Sequence, residues 1–106
     1  MARALVNVPR TARPGDVIEI KAMTAHPMET GYRSDARGAA IPRNIIRRFT
    51  CHYDGEAVFA ADLHPAMSAN PFLAFFTVAT VSGTLTFAWT DDAGVTTTAT
   101  ADIVVG

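Results

Sequence analysis

The sequence predicts an all-β protein, an immunoglobulin-like two-sheet sandwich of about seven antiparallel strands. Segments rich in Val, Ile, Thr and Phe alternate between apolar and polar residues, which is the period of a half-buried strand. Turn-forming residues interrupt these segments at intervals of about 8–15 residues, as expected for short strands in two packed sheets. The 106 residues fit one domain, predicted to span positions 1–106.

The first half of the chain provides three predicted strands and one long loop. Residues 3–8 and 17–25 alternate between apolar and polar residues, and a turn at 13–16 separates them. The segment 26–42 holds two prolines, two glycines and mixed charge, which predicts a loop. Long loops in compact domains tend to be functional or disordered, so this one is a candidate site. The third strand is predicted at 44–53.

The second half continues the pattern of strands and turns. The pair Asp54-Gly55 favours a two-residue hairpin turn directly after the third strand. Four further strands and one loop complete the prediction, with the strands at 56–63, 72–79, 84–90 and 95–105 and the loop at 64–71.

Composition excludes several classes of protein. A hydrophobic content of 49% with a net charge of −1 excludes intrinsic disorder. No run of about 18 apolar residues occurs, so no spanning helix and no membrane partner are predicted. The single cysteine, Cys51, has no intrachain disulfide partner. The first residues show no secretory signal pattern, which taken alone predicts the cytoplasm.

The charges divide unevenly between the two halves. Residues 1–51 hold all nine Lys and Arg against four acids, and residues 52–106 hold the other six acids. We interpret this as basic and acidic strands that lie side by side and neutralise each other. The cations are spread out and lack aromatic platforms, so no nucleic-acid partner is predicted. Five arginines within 33–48 leave two interpretations open, an acidic-partner surface or a solvated rim.

The segment 72–79 (FLAFFTVA) is apolar on both faces of a strand, whereas a sandwich strand normally has one polar face. The 26–42 loop covers the second face, or the strand lies centrally under its own chain, or a protein partner covers the face. The neighbouring threonine-rich faces also lack the charges that normally block strand pairing. These faces are made by Thr84, Thr86, Thr90, Thr96, Thr98 and Thr100.

Cys51 with the three histidines offers an alternative, a small metal-binding redox domain similar to superoxide reductase. Imidazole and thiolate suit zinc or iron, but no CxxC or HxxxH spacing occurs among Cys51, His26, His52 and His64. Alternation places Cys51 and His52 on opposite faces, and Cys51 on the core face. We therefore predict no metal, no cofactor and no catalytic residue, while a disulfide between Cys51 and another protein stays open because it lies near a strand end. No nucleophile–base pair is apparent either.

Four segments together resemble the SoxZ family, which belongs to bacterial thiosulfate oxidation. They are HPMETGYR at 26–33, IPR at 41–43, LHP at 63–65 and ANPF at 69–72. The resemblance extends over essentially the whole chain. It implies an immunoglobulin-like sandwich that pairs with a homologous SoxY subunit. A cysteine on the flexible C-terminal segment of that subunit carries sulfur intermediates between enzymes. This chain shows no terminal cysteine, so we expect a non-catalytic scaffold subunit.

The resemblance also implies a place and a set of contacts. The SoxY partner carries the export signal in this family, so we expect a periplasmic heterodimer, co-exported with that partner, which docks transiently to other Sox enzymes. The isolated chain is expected to self-associate. Aromatic, Met and Arg side chains are enriched at interfaces. The predicted partner-binding residues are accordingly Met28, Tyr32, Arg33, Phe72, Phe75 and Phe76.

Overall fold

The computed structural model describes residues 4–64 and 69–106, and every regular element in these ranges is a β-strand. The eight strands are β1 (Ala4–Asn7), β2 (Thr11–Ala12), β3 (Val17–Thr24), β4 (Ile46–Tyr53), β5 (Glu56–Asp62), β6 (Phe72–Val78), β7 (Gly83–Asp91) and β8 (Thr96–Val105). The all-β prediction is confirmed, and β3 to β8 begin and end within two residues of the predicted bounds. The described ranges contain no helix long and apolar enough to cross a membrane.

The strands form two sheets, as predicted. One sheet has the order β1-β3-β6 and is antiparallel throughout, and the other has the order β2-β8-β7-β4-β5. Strand β2 is an addition to the prediction, because Thr11 and Ala12 pair in parallel with Val104 and Val105 of β8. A two-residue strand shows no alternation, so its sequence reads as a turn region.

The core lies between the sheets and is strongly aromatic. Phe49 of β4 lies 5.1 Å from Trp89 of β7, measured between ring centroids, and 6.0 Å from Phe75 of β6. Phe59 of β5 stacks on Phe75 at 4.3 Å, with the ring planes 7° apart. Each buried ring removes a large apolar area from water, so these rings contribute strongly to the stability of the sandwich. These contacts fix which face of each strand points inward.

The turn between β4 and β5 forms as predicted. Asp54 and Gly55 both adopt positive φ angles, 49° and 86°, which match a hairpin turn of the type I′ class. The predicted 64–71 loop lies partly outside the described ranges, which omit residues 65–68.

Candidate partner-binding surface

Strand β6 presents one apolar face to the core and a second apolar face to solvent. Phe75 points inward and is 6% exposed, whereas Phe72 and Phe76 are 55% and 64% exposed. Side chains alternate along a strand, so the neighbours Phe75 and Phe76 lie on opposite faces. The second face is therefore covered neither by the 26–42 segment nor by other described parts of the chain, and of the alternatives drawn from the sequence a protein partner remains.

Phe75 requires a correction to the predicted binding residues. Its ring packs against Phe59 and Phe49 within the sandwich and has no surface to offer a partner. The sequence pattern shows two apolar faces on this strand but does not say which one points to the core. Phe75 holds β6 against the core, and Phe72 and Phe76 remain as candidate contacts for a partner.

Strands β3 and β1 extend the apolar surface beyond β6. Met23 lies opposite Phe72, and Leu5 lies opposite Met23, so one apolar row crosses all three strands. A groove of about 340 Å³ follows this row, lined partly by Leu5, Met23 and Phe72. At the other end of β6, Val17 lies opposite Val78, and both are exposed.

We call this outer surface of the three-stranded sheet the open face. It consists of Leu5, Asn7, Val17, Glu19, Lys21, Met23, Phe72, Ala74, Phe76 and Val78. Only its middle is charged, where Lys21 Nζ lies 3.7 Å from a Glu19 carboxylate oxygen. Contiguous exposed apolar surface with a polar part is characteristic of protein-binding sites.

Two of the family-like segments meet where β6 begins. The His26 backbone N–H donates to Asn70 Oδ1 at 2.9 Å, and the Asn70 N–H donates to the His26 carbonyl oxygen at 2.7 Å. Asn70 has a φ of 53°, a left-handed conformation that asparagine tolerates better than most residues. The bonded pair fixes the start of β6 against the segment that follows β3.

Met28 also requires a correction, because it is buried rather than part of a recognition loop. Its N–H donates to His26 Nδ1 at 2.9 Å, and its sulfur accepts a hydrogen bond from the Ile46 N–H at 3.2 Å. The His26 ring is buried as well, with Nε2 3.5 Å from an Asp91 carboxylate oxygen. Met28 therefore anchors the segment to the core.

Residues 29–44 form a hairpin, which we call the arm, in place of the predicted irregular loop. Glu29 pairs with Asn44 at its base and Ser34 with Ala40 near its tip, both as antiparallel bridges. Short bridges separated by prolines and glycines leave no alternating pattern, which explains why the sequence does not reveal the arm.

The arm presents Tyr32 and Arg33 on its surface. Every residue from 32 to 40 is exposed, and Tyr32 is 86% exposed. The Arg33 guanidinium donates to both carboxylate oxygens of Glu29. This hydrogen bonding lowers the pKa of Glu29 and raises the pKa of Arg33. Tyr32 is thus available for a contact, while Arg33 enters any contact as part of an ion pair.

Two ion pairs join the basic and acidic halves of the chain. Arg43 donates to both carboxylate oxygens of Asp92, at 2.8 and 3.0 Å, and Arg48 donates to Asp62 at 2.7 Å. The hydrogen bond from Arg43 lowers the pKa of Asp92, with a further bond from the Ile45 N–H. These contacts support the interpretation that neighbouring strands neutralise each other.

The metal-binding alternative finds no assembled site in the part of the chain that the structure describes. That part holds no group of three or more His, Cys, Asp or Glu placed to bind an ion. Cys51 is fully buried, and burial raises the pKa of its thiol to about 11. His52 lies half-buried on the other face of β4, and His64 is exposed. A disulfide from Cys51 to another protein would require the sandwich to open.

The threonine-rich surface lies on the outer face of the five-stranded sheet. Thr86 pairs with Thr100 and Thr90 with Thr96, so the threonines form rows across β7 and β8. These rows are bounded by charges, since Arg48 lies opposite Thr90 on the neighbouring strand. The surface is uncharged only in its middle, and it is less apolar than the open face.

Sequence reasoning missed the anchoring roles of His26 and Asn70. Both residues stand beside prolines, which indicates a turn but not a partner 44 positions away. The one available signal was Asn70 itself, because Asn before Pro favours turn conformations.

The fold resembles that of solved proteins with different activities. A superoxide reductase (neelaredoxin) from Ignicoccus hospitalis is 16% identical with a TM-score of 0.75. The superposition covers 97% of this chain and 80% of the reductase chain. The sulfur carrier protein SoxY from Chlorobium limicola f thiosulfatophilum is 13% identical with a TM-score of 0.69. Here the superposition covers 97% of this chain and 78% of the SoxY chain. Similarity at this identity establishes the sandwich fold and no activity.

The sequence of the chain matches the model of one protein family, which identifies more than the fold. Comparison with curated protein sequences yields no significant match. The model described as sulphur oxidation protein SoxZ matches residues 6–102. That range spans all the strands except the ends of β1 and β8. The chain belongs to the SoxZ family of sulphur oxidation proteins.

Proposed function

We propose that this chain is the non-catalytic scaffold subunit of a heterodimeric SoxYZ-type sulfur carrier. It pairs with a SoxY-type subunit, and a cysteine at the C-terminal end of that subunit carries sulfur intermediates between the enzymes of thiosulfate oxidation. The observation that carries the proposal is the exposure of Phe72 and Phe76 on the open face. Membership of the SoxZ family supplies the sulfur chemistry, which the geometry alone does not contain.

The open face has the composition of a binding site. Two exposed phenylalanines lie on one strand four residues apart, with Met23 and Val78 beside them. Aromatic side chains at the centre of an interface commonly contribute most of the binding free energy. The Glu19–Lys21 ion pair adds a polar element that helps to define the orientation of a partner.

The arm supplies the second part of the proposed contact surface. Tyr32 is almost fully exposed on a hairpin whose base is fixed to the sandwich by the Glu29–Asn44 bridge. A tyrosine side chain has only two rotatable torsions, so it loses little conformational entropy on binding, which suits transient contacts. We assign the open face to the permanent SoxY-type partner and the arm to the partner or to the enzymes that dock in turn.

The proposed place of action is the periplasm, reached by co-export with the signal-bearing partner. A tagged chain is isolated from the periplasmic fraction of thiosulfate-grown source cells, and the masses of co-purifying proteins are measured intact. We expect an equimolar protein that ends in a glycine-flanked cysteine and partly bears sulfur adducts. Recovery of the chain alone, or only from the cytoplasm, would contradict the proposal.

A further inference from the structure

We propose that the SoxY-type partner adds its own edge strand to the free edge of β6, so that the two sandwiches share one continuous sheet. The inference rests on the proposed function and names how the two subunits join. It follows from a comparison of the edge strands.

Most of the edges in the described residues are protected against strand pairing. Strand β1 has four residues and β2 has two, and short edges make poor templates. Strand β5 carries Glu56 and Asp62 at its two ends, and its pairing with β4 is irregular between Cys51 and His52. Terminal charges and bulges both disfavour addition of another strand.

Strand β6 has none of these protections. It is seven residues long and contains neither a charged residue nor a proline. One side pairs with β3 over its full length, and no described strand pairs with the other side. A groove of about 410 Å³ lies between the C-terminal end of β6 and β5, lined in part by Thr77, Val78 and Val58. The groove leaves this end of the edge open, and the rest of the edge has no strand partner among the described residues.

The occupant that fits this edge is a second sandwich of the same fold. The solved SoxY chain shares the fold over 97% of this chain, so we expect a SoxY-type partner to have an edge strand equivalent to β6. Pairing two equivalent edges in antiparallel fashion creates a pseudo-two-fold dimer, the commonest form of association between like subunits. Outward side chains such as Phe72 and Phe76 then meet outward side chains of the partner, as cross-strand pairs do.

Amide exchange measured by NMR on the complex distinguishes strand pairing from side-chain packing. In an edge strand, every second N–H already bonds to its neighbour, and the remaining ones point outward. Binding is expected to slow exchange at alternate amides between 72 and 78, and to leave those bonded to β3 little changed. Uniform protection, or none, in an intact heterodimer would overturn the inference while leaving the proposed function in place.

A charge on β6 tests the same edge by mutation. Ala74→Glu places a carboxylate opposite Lys21, which favours the folded chain but opposes pairing at the edge. Thr98→Glu puts the same change on the exposed face of β8 as a matched control. We expect at least tenfold weaker heterodimer formation for Ala74→Glu and no change for Thr98→Glu. Equal binding by both variants would overturn the inference.

The remaining outcomes also decide between occupants. Failure of the unmodified chain to bind any SoxY-type subunit would remove the proposed function together with the inference. If the isolated chain runs as a dimer and already shows alternating protection in β6, a second copy occupies the edge instead of the partner.

Discussion

Two adjacent phenylalanines of β6 illustrate how a single residue position separates folding from function. Phe75 packs in the aromatic cluster, and Phe76 faces solvent opposite Glu19. Their side chains are chemically identical, so their different roles come only from the alternation of the strand. A substitution at one position should therefore affect stability, and at the other position binding.

Phe75→Ala is predicted to lower the free energy of unfolding by about 3–5 kcal/mol, because it leaves a cavity between Phe49 and Phe59. Phe76→Ala should change it by less than about 1 kcal/mol, since the ring is mostly exposed. Urea unfolding followed by Trp89 fluorescence measures both variants. Equal losses would contradict the assignment of the two faces.

Cys51 is predicted to be unreactive in the folded chain. Its thiol is buried with a pKa raised to about 11, so little thiolate exists near neutral pH and reagents have no access to it. A chromogenic disulfide reagent at pH 8 should label the denatured chain rapidly and the native chain at the rate of unfolding. Rapid native labelling would show that the thiol is accessible and would restore the disulfide hypothesis.

At the scale of elements, the junction between the segment after β3 and the start of β6 depends on Asn70. Its side-chain oxygen accepts a partly buried hydrogen bond from the His26 backbone N–H, and its own backbone adopts a positive φ angle. The arm begins shortly after His26, and β6 begins shortly after Asn70. This junction therefore holds the arm against the β6 part of the open face.

Asn70→Gly and Asn70→Ala separate the two contributions of that residue. Gly keeps the positive φ but loses the hydrogen bond, which is predicted to cost about 1–2 kcal/mol of unfolding free energy. Ala loses the bond and adds backbone strain, for about 1 kcal/mol more. Thermal and urea unfolding of both variants measure these differences. A variant with Ala that is more stable than the one with Gly would contradict this account.

The strands were more predictable from sequence than the connections. Alternation revealed β3 to β8 to within two residues, and Asp54-Gly55 identified its own turn. The arm and β2 were not predictable, because their pairing partners lie across turns or at the far end of the chain. Of the site, sequence indicated the apolar faces of β6 but assigned Phe75 to the surface, since periodicity does not say which apolar face is inside. It also assigned Met28 to the surface, because a loop segment gives no sign that one of its side chains reaches the core.

At the scale of the whole molecule, ion pairs connect the oppositely charged halves. Arg43 lies at the base of the arm and Asp92 in the turn between β7 and β8, so their contact joins distant parts of the chain. The lowered pKa of Asp92 means that the folded state holds this carboxylate charged more strongly than the unfolded state does.

Acid should therefore weaken the fold through this pair. Because the pKa of Asp92 is lower in the folded chain, its stabilising contribution is fully present above the ordinary value of 3.8 and is lost as pH falls through the lowered value. Asp92→Asn should make the fall in unfolding free energy below pH 4 shallower, measured by urea titration at each pH. Arg43→Gln should act in the same direction but less strongly, because the Ile45 N–H and Arg47 still favour the charged carboxylate, and the double variant should match Asp92→Asn. A fall as steep as in the unmodified chain would contradict the assignment.

The same sandwich occurs in SoxY and in superoxide reductase, so the fold by itself does not define what this chain does. What distinguishes the molecule is the surface around β6, where apolar side chains and a free strand edge lie together. The central claim is that this surface binds a SoxY-type subunit.

Calorimetric titration of the purified chain into the SoxY-type subunit tests this claim most directly. The double variant Phe72→Ser/Phe76→Ser removes both exposed rings of the open face, and Val104→Ser removes an exposed apolar side chain from β8 as a control. Loss of each hot-spot ring is expected to weaken binding by about 30-fold, and the control should bind within about twofold of the unmodified chain. Unchanged affinity of the double variant, with its fold intact, would contradict the account.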